Sequence, residues 1–445
     1  MCSPASLRKI PATTLRPDNV TATAIARLHG RQILDSRGRP TVEAEITLAN
    51  GVTARASAPS GASTGKAEAV ELRDGGTAWE GRAVGRAVAN IRGEIAQLLS
   101  GHDVLDQAGL DGLLAEADGT ANWSRLGGNA VLSVSLAAAR AAALAQGQPL
   151  YRRFAELAGT EPAMPLPMVN ILSGGLHAGR GMDIQDFLVI PVGAQSYSQA
   201  LEWICQVRSA AAQLCDELGL STLLADEGGL SPGFQTSEAA LDLMVQAFER
   251  CGLRAGHDVA IALDLASSSL VDEKGDYAFL RRGLIMSPDA LIEQQTLWVQ
   301  RYPIVSIEDG LGEDDWAHWP ELSRRLSHIQ VVGDDLFATQ PGRIQRAIDG
   351  GIANAALIKL NQNGTVSGTL DAIRTARSAG YATVISARSG ETEDDFLADF
   401  AVGVAGGQIK IGSVRNSERQ SKYNQLLRIE EDNLPWTGRS ALAGQ

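Results

Sequence analysis

The chain has 445 residues, of which 44% are hydrophobic and 20% are charged, and its formal net charge is −13. This length leaves room for two or three domains. The acidic balance argues against nucleic-acid and anionic-membrane partners, since both favour a basic surface. We expect no membrane-spanning helix, no secretory signal in the first 20 residues and no disulfide framework from the four cysteines. The sequence therefore predicts a cytoplasmic globular protein.

Residues 22–158 are predicted to form an N-terminal α+β domain, preceded by a flexible tail at 1–21. Apolar and polar residues alternate in TVEAEITLA, and VTARASA follows after Asn50-Gly51. An Asn-Gly pair between two alternating runs is a strong signal for a β-hairpin. Helical periodicity dominates from about 80 to 157. Strands followed by helices favour an α+β arrangement.

Residues 159–435 are predicted to alternate strands and helices, with a short tail at 436–445. The proline-rich GTEPAMPLPMVN marks the start of this region. Ser287-Pro288-Asp289 has the residues of a helix N-terminus, and another helix is predicted from about 365 to 379, closed by Gly380. Alternating strands and helices are typical of a parallel barrel or sheet.

Six short apolar runs in this region end at, or just before, a residue that can bind a metal ion or an oxyanion. These residues are spaced 22 to 44 positions apart, about the length of one strand–helix unit; they are Asp264, Glu308, Asp334, Lys359, Arg388 and Lys410. The C-terminal ends of the strands of a parallel barrel lie on one rim, where the active sites of such barrels are found. We therefore expect three carboxylates and three cations around one cup.

The carboxylates Asp264, Glu308 and Asp334 are oxygen ligands, which suit Mg²⁺ or Mn²⁺ better than zinc. The alternative is that these acids simply meet solvent at strand ends. Lys359 and Lys410 end buried strands, where neighbouring metal cations and a second lysine lower the pKa of an ammonium and make it a base. The alternative is that each lysine only forms an ion pair with a carboxylate.

Arg388 and Ser389 precede a helix predicted to begin near Thr392, and a guanidinium beside a helix N-terminus can bind phosphate. The alternative is a helix cap with a surface arginine. Together, the carboxylates, lysines and arginine indicate the removal of a proton next to a carboxylate group. The resulting anion needs strong stabilisation by positive charge.

The chain resembles the enolase family from about residue 25 to 432. The matching segments are ILDSRGRPTVE (33–43), PSGASTG (59–65), ELRDG (71–75), DEGG (226–229), SIEDGLGEDDW (306–316), GDDL (333–336), SGETEDDF (389–396) and SERQSKYNQLLRIEE (417–431). This resemblance implies an α/β fold: an enolase-type (β/α)8 TIM-like barrel with an N-terminal α+β capping domain. It also implies a homodimer or larger homo-oligomer and two Mg²⁺ ions per active site. The implied substrate is small, anionic and phosphorylated, and the implied reaction interconverts 2-phosphoglycerate and phosphoenolpyruvate.

The resemblance also implies a role for each site residue. The catalytic residues would be Lys359, as the base, with Glu227 and Asp186 on the side where hydroxide leaves. The residues that contact substrate would be His177, Gln185, Arg388, Ser389, Lys410 and Glu308. The residues that hold metal would be Asp264, Glu308, Asp334 and, in a mobile loop, Ser63.

Three departures from the family pattern cluster around the leaving group and the active-site loops. Asp186 stands in place of a glutamate, Ala387 in place of a histidine, and Leu176 in place of a serine. Three hypotheses therefore remain open. The protein is a divergent enolase, or an enolase-derived enzyme that acts on a related phosphate or phosphonate ester, as carboxyphosphonoenolpyruvate synthase does in phosphinate antibiotic biosynthesis. The third is a non-catalytic binding scaffold.

Overall fold

The N-terminal unit is built on an antiparallel sheet whose strands follow one another in chain order. The structure is a computed structural model, and it describes residues 21–61 and 65–444. The three strands are β1 (Ile25–Leu34), β2 (Pro40–Leu48) and β3 (Thr53–Ser57). Gly51 closes the β2–β3 hairpin with a φ of +85°, a conformation that glycine adopts without strain. The predicted meander is confirmed; the predicted tail at 1–21 lies outside the described residues except for Thr21.

Helices cover one face of this sheet. They are the 3₁₀ turn Ala78–Gly81, α1 (Gly85–Asn90), the π turn Ile91–Ile95, α2 (Ala96–Leu98), α3 (Gln107–Asp118), α4 (Gly128–Ala145) and α5 (Leu150–Ala158). The apolar α4 packs against β2 and β3 and is buried over most of its length. By length and composition α4 could cross a membrane, but 83% of its 18 residues lie inside the structure.

Eight strands close into a barrel in chain order. They are β4 (Leu166–Ser173), β5 (Asp186–Ile190), β6 (Ala260–Asp264), β9 (Ile304–Glu308), β10 (Gln330–Gly333), β11 (Ala355–Ile358), β12 (Ala382–Ser386) and β13 (Gln408–Lys410). Strand β5 runs antiparallel to both of its neighbours, and every other pair is parallel. A separate hairpin of β7 (Tyr277–Phe279) and β8 (Leu284–Met286) lies between β6 and β9 along the chain. The predicted barrel is confirmed, with an irregular first part.

Helices occupy most connections between barrel strands. They are α6 (Tyr197–Glu217), α7 (Ser237–Arg250), α8 (Pro288–Arg301), α9 (Trp319–Arg325), α10 (Pro341–Asp349), α11 (Leu360–Asn363), α12 (Val366–Ser378), α13 (Phe396–Gly403) and α14 (Ser417–Glu430). The predicted start of α8 is confirmed, because Ser287 Oγ accepts a hydrogen bond from Ala290 N at 3.3 Å. The predicted end of α12 is confirmed by Gly380, whose φ is +77°.

The helix predicted to begin near Thr392 begins four residues later, at Phe396. The polar side chains that suggest a helix cap satisfy loop amides instead. Glu391 Oε1 accepts from Arg388 N at 3.0 Å, and Thr392 Oγ1 accepts from Asp394 N at 3.3 Å. Such local hydrogen bonds compete with helix formation. Arg388 and Ser389 therefore lie in a loop and not at a helix N-terminus.

The last described residues, 436–444, pack against the end of the barrel opposite the predicted site. Trp436 Nε1 donates to Ala194 O at 2.9 Å. Leu442 is 6% exposed and packs among the apolar residues at the start of the barrel strands. At this end of the barrel interior, Gln330 Nε2 donates to Gln408 Oε1 at 3.0 Å. The barrel is thus filled and closed below the rim that carries the charged residues.

Candidate active site

Three of the predicted strand-end residues meet directly at the barrel rim. Lys410 ends β13, and its ammonium donates to Asp264 Oδ2 at 2.7 Å and to the Glu308 oxygens at 2.8 and 2.7 Å. All three side chains are buried. Burial and the charge of Asp264 raise the pKa of Glu308. Burial opposes the charge on Lys410, but Asp264 and Glu308 raise its pKa well above the usual value.

Lys359 and Asp334 form the second ion pair of the rim. Lys359 Nζ lies 2.5 Å from Asp334 Oδ2, and Gln362 Nε2 donates to the other oxygen at 3.0 Å. Burial, the largest influence, lowers the pKa of Lys359, but the negative charges of Asp334 and Glu308 together make the net shift upward. The pKa of Lys359 was expected to be lowered by metal cations and by a second lysine. Without metal cations, Asp334 raises the pKa of Lys359 more than Lys410 lowers it.

Asp309 and Asp335 belong to the same acidic group but were not predicted as site residues. Carboxylate oxygens of Asp309, Asp334 and Asp335 lie within 4.8 Å of one another. Both oxygens of Asp309 accept backbone hydrogen bonds, from Asp334 N at 2.9 Å and Asp335 N at 2.8 Å. Asp309 therefore fixes the backbone at Asp334 and Asp335 and so orients the Asp334 side chain. Burial and the charge of Asp334 raise the pKa of Asp335 to about 7.

Arg388 is held by a carboxylate from the N-terminal unit. Its Nη1 donates to Glu68 Oε2 at 3.0 Å and to Asn361 Oδ1 at 2.8 Å. Glu68 Oε1 also accepts from Gly65 N at 2.9 Å. Although burial opposes the charge on Arg388, Glu68 raises its pKa. Glu68 thus connects Arg388 to Gly65. The predicted metal ligand Ser63 lies outside the described residues.

Ser389 also contacts the N-terminal unit. Its hydroxyl accepts from Arg37 Nη1 at 3.2 Å. The same guanidinium donates to Ser60 O at 3.0 Å and pairs with Asp35 at 3.0 Å. Arg37 belongs to segment 33–43, which matches the enolase family pattern. Its guanidinium links Ser60 to Ser389 on the barrel rim. No candidate role was predicted for Arg37.

Asp186, His177 and Glu227 lie together on the opposite side of the pocket. Asp186 Oδ1 accepts from Ser173 Oγ at 2.6 Å and lies 3.2 Å from His177 Nε2. Burial lowers the pKa of His177, but Asp186 outweighs it and raises this pKa to about 9. Glu227 Oε2 accepts from Asn170 Nδ2 at 3.1 Å. Burial raises the pKa of Glu227, yet nearby cations, first His177, bring it below its usual value.

The remaining predicted residue, Gln185, links the two sides of the site. Its Nε2 donates to Asp264 Oδ2 at 3.1 Å. Except for Glu308, every predicted site residue that the structure describes lines one cavity of about 50 Å³. Glu308 lies next to this cavity and accepts a hydrogen bond from Lys410. Leu176 and Ala387 also line this cavity. Four residues of the site were not predicted from the sequence: Glu68, Arg37, Asp309 and Asp335. Asp309 and Asp335 directly follow the predicted residues Glu308 and Asp334 in segments that match the family, and this position could have identified them.

The donor set fits a hard divalent cation. Six carboxylates line the cavity, against two lysines, one arginine and one histidine. Buried carboxylates in excess of cations are costly unless a further positive charge balances them. Every candidate ligand atom on Asp264, Glu308 and Asp334 is an oxygen, which is the preference of Mg²⁺. The residues present therefore fit magnesium.

Fold and site define a barrel enzyme with buried carboxylates and lysines at the C-terminal ends of its strands. Residues 25–154 match the family model of the enolase N-terminal domain, and residues 161–443 match that of the enolase C-terminal TIM barrel domain. The chain belongs to the enolase family. It is accordingly an enolase-superfamily enzyme, a lyase, and members of this family use Mg²⁺. A purely non-catalytic scaffold does not agree with this membership.

Proposed function

We propose that this enzyme removes the α-proton of 2-phosphoglycerate and forms phosphoenolpyruvate and water. The observation that carries the proposal is the position of Lys359: its amine lies 2.5 Å from Asp334 in a buried pocket lined by carboxylates and cations. A base at this position can work only as a neutral amine. A carboxylate that shares its negative charge with a metal ion raises the pKa of a neighbouring lysine less than a bare one does.

The residues on the metal side are proposed to be Asp264, Glu308 and Asp334, with Ser63 contributing from its loop. When bound, a pair of Mg²⁺ ions would supply the positive charge that stabilises the anion formed on the substrate carboxylate. Lys410 now bridges Asp264 and Glu308. If these carboxylates held magnesium, Lys410 would become available to bind the substrate carboxylate, and Glu308 would serve both the metal and the substrate.

The proposed substrate contacts lie on both sides of Lys359. Arg388 and Ser389 would bind the phosphate, and Gln185 and His177 would contact the substrate from the opposite side. Lys359 takes the proton from C2, and the electron pair of that C–H bond forms the C2=C3 double bond. The C3–O bond breaks, and the hydroxide leaves as water after it gains a proton on the side of Glu227 and Asp186.

A direct assay tests this proposal. Purified protein with Mg²⁺ and 2-phosphoglycerate should produce the ultraviolet absorbance of the enol product, and chelation of Mg²⁺ should abolish it. Absence of both product and exchange of the C2 hydrogen with solvent would overturn the proposal.

A second candidate function is supported by two residues that line the catalytic cavity, Asp186 and Ala387. Asp186 is drawn to Ser173 at 2.6 Å, and Ala387 presents only a methyl group to the cavity. An enzyme retuned for a related phosphate or phosphonate ester would keep the base and the metal ligands and change the residues that face the leaving group. Such an enzyme would exchange the C2 hydrogen of 2-phosphoglycerate but dehydrate it slowly. The double variant Ala387→His with Asp186→Glu should then dehydrate it faster; no gain would count against this alternative.

The oligomeric state follows from the family as a further part of the proposal. The family resemblance favours a homodimer or larger homo-oligomer that works in the cytoplasm. Sedimentation of the purified protein measures its mass in solution, and a monomer would contradict the expectation.

A further inference from the structure

A groove continues outward from the catalytic cavity between two loops. It has a volume of about 340 Å³ and is lined by residues 175–183 on one side and 269–281 on the other. Leu176 lines both this groove and the catalytic cavity. We call the groove, with Leu176, Arg180, Val271 and Leu280 on its walls, the side groove. Its position allows one molecule to reach from the catalytic residues into it.

The side groove has an apolar surface that is open to water. Leu176 and Val271 are each 42% exposed, and Leu280 is 70% exposed. Large apolar side chains gathered around one cavity are typical of a binding surface, whereas isolated exposed ones are ordinary. Leu176 matters most, because the cavity that it borders is otherwise lined almost wholly by charged and polar groups. A ligand confined to those groups would leave this surface uncovered.

The charged groups of the side groove are two carboxylates, Asp183 and Asp272, and two guanidinium groups, Arg180 and Arg281. Asp183 is occupied by backbone amides, accepting from Arg281 N at 2.9 Å and from Arg282 N at 3.3 Å. Asp272 likewise accepts from Lys274 N at 2.7 Å. Within residues 21–61 and 65–444, by contrast, the guanidinium of Arg180 has neither a hydrogen bond nor an ion pair. The groove therefore offers one uncommitted positive charge beside an apolar wall.

We infer that the side groove binds the far end of a substrate that extends out of the catalytic cavity: a phosphate or phosphonate ester with an apolar group and a second negative charge. This inference rests on the proposed use of the catalytic cavity for a phosphorylated acid. Leu176, Val271 and Leu280 cover the apolar group, and Arg180 binds the outer negative charge. Leu176 is thereby the residue that selects between compact and extended substrates.

Calorimetric titration of the magnesium-loaded protein with two simple phosphonates tests the apolar part. Phenylphosphonate should bind about tenfold more tightly than methylphosphonate, since about five more carbon atoms become partly covered. Leu176→Ser should reduce this preference below about threefold. The matched control is Leu218→Ser, because Leu218 is 60% exposed at the end of α6, outside the groove; it should keep the full preference.

A third probe, 4-carboxyphenylphosphonate, tests the outer charge. It should bind about threefold more tightly than phenylphosphonate, as expected for a partly exposed ion pair, and Arg180→Gln should remove that gain. Equal affinity for all three probes, or a preference that survives Leu176→Ser, would overturn the inference, and so would failure of every phosphonate to bind. Turnover of 2-phosphoglycerate is measured separately. If the protein does not turn over 2-phosphoglycerate but prefers phenylphosphonate through Leu176, the proposed reaction is rejected and the inference about the side groove stands.

Discussion

Replacing Lys410 with methionine removes the one ammonium that bridges Asp264 and Glu308. The lysine makes three contacts of 2.7 to 2.8 Å to these carboxylates, and its side chain is only 7% exposed. Breaking a buried ion pair by removing one partner costs about 3–5 kcal/mol, because the remaining charge stays buried without compensation. We therefore expect Lys410→Met to lower the free energy of unfolding by about this amount when Mg²⁺ is chelated.

The same variant should respond more strongly to magnesium. Without the ammonium, Mg²⁺ has no positive group to displace from the two carboxylates, so it binds the folded variant more tightly. Tighter binding to the folded state raises the melting temperature further. The assay is differential scanning calorimetry in chelator and in a magnesium series. Lys66→Met is the matched control, because Lys66 pairs with Asp314 at the surface, where both side chains are more than two-thirds exposed, and such pairs contribute about 0–1 kcal/mol.

Two results would refute this reasoning. One is a Lys410→Met protein as stable in chelator as the Lys66→Met control. The other is a magnesium-dependent gain in melting temperature no larger in Lys410→Met than in the wild type. Either result would mean that Lys410 does not occupy the position where the carboxylates bind metal.

Two further predictions concern buried acids. Burial, followed by the charge of Asp395, raises the pKa of Asp399 from 3.8 to about 7. Between these values the folded state holds a proton on Asp399 that the unfolded state has lost. The contribution of Asp399 to stability is therefore largest below pH 4 and falls by about 4 kcal/mol as pH rises to 7. Asp399→Asn should flatten this fall and, by thermal unfolding at pH 8, be more stable than the wild type; lower stability there would contradict the assignment. Glu68→Gln weakens the charged hydrogen bond that holds Arg388 at 3.0 Å, and should raise KM about fivefold with little change in kcat. An unchanged KM would show that Glu68 does not position Arg388.

Most of the barrel rim could be predicted from sequence because it depends on spacing alone. Parallel strands carry their last residues to one edge, so Asp264, Glu308 and Asp334 had to approach one another once the strands were recognised. The antiparallel course of β5 could not be predicted in this way. Its five residues are all buried, and a short, fully buried apolar run does not reveal strand direction.

Contacts between the two units were beyond sequence reasoning for a different reason. Glu68 and Arg388 are 320 positions apart, and no local pattern connects them. Arg37 likewise lies in a turn of the N-terminal unit, and its contact with Ser389 of the barrel exists only in the folded structure. The predicted helix start near Thr392 failed because threonine and acidic residues bind loop amides as readily as they cap a helix.

In the proposed reaction, the amine of Lys359 takes the proton from C2 of the substrate. The most direct measurement is exchange of the C2 hydrogen of 2-phosphoglycerate in deuterated solvent, followed by NMR, for the wild type and Lys359→Ala. We predict that the variant loses exchange by about 10³-fold or more, since a positioned base contributes about 10²–10⁴-fold to proton transfer, while calorimetry shows that it still binds the substrate. Exchange at the wild-type rate in Lys359→Ala would contradict the account.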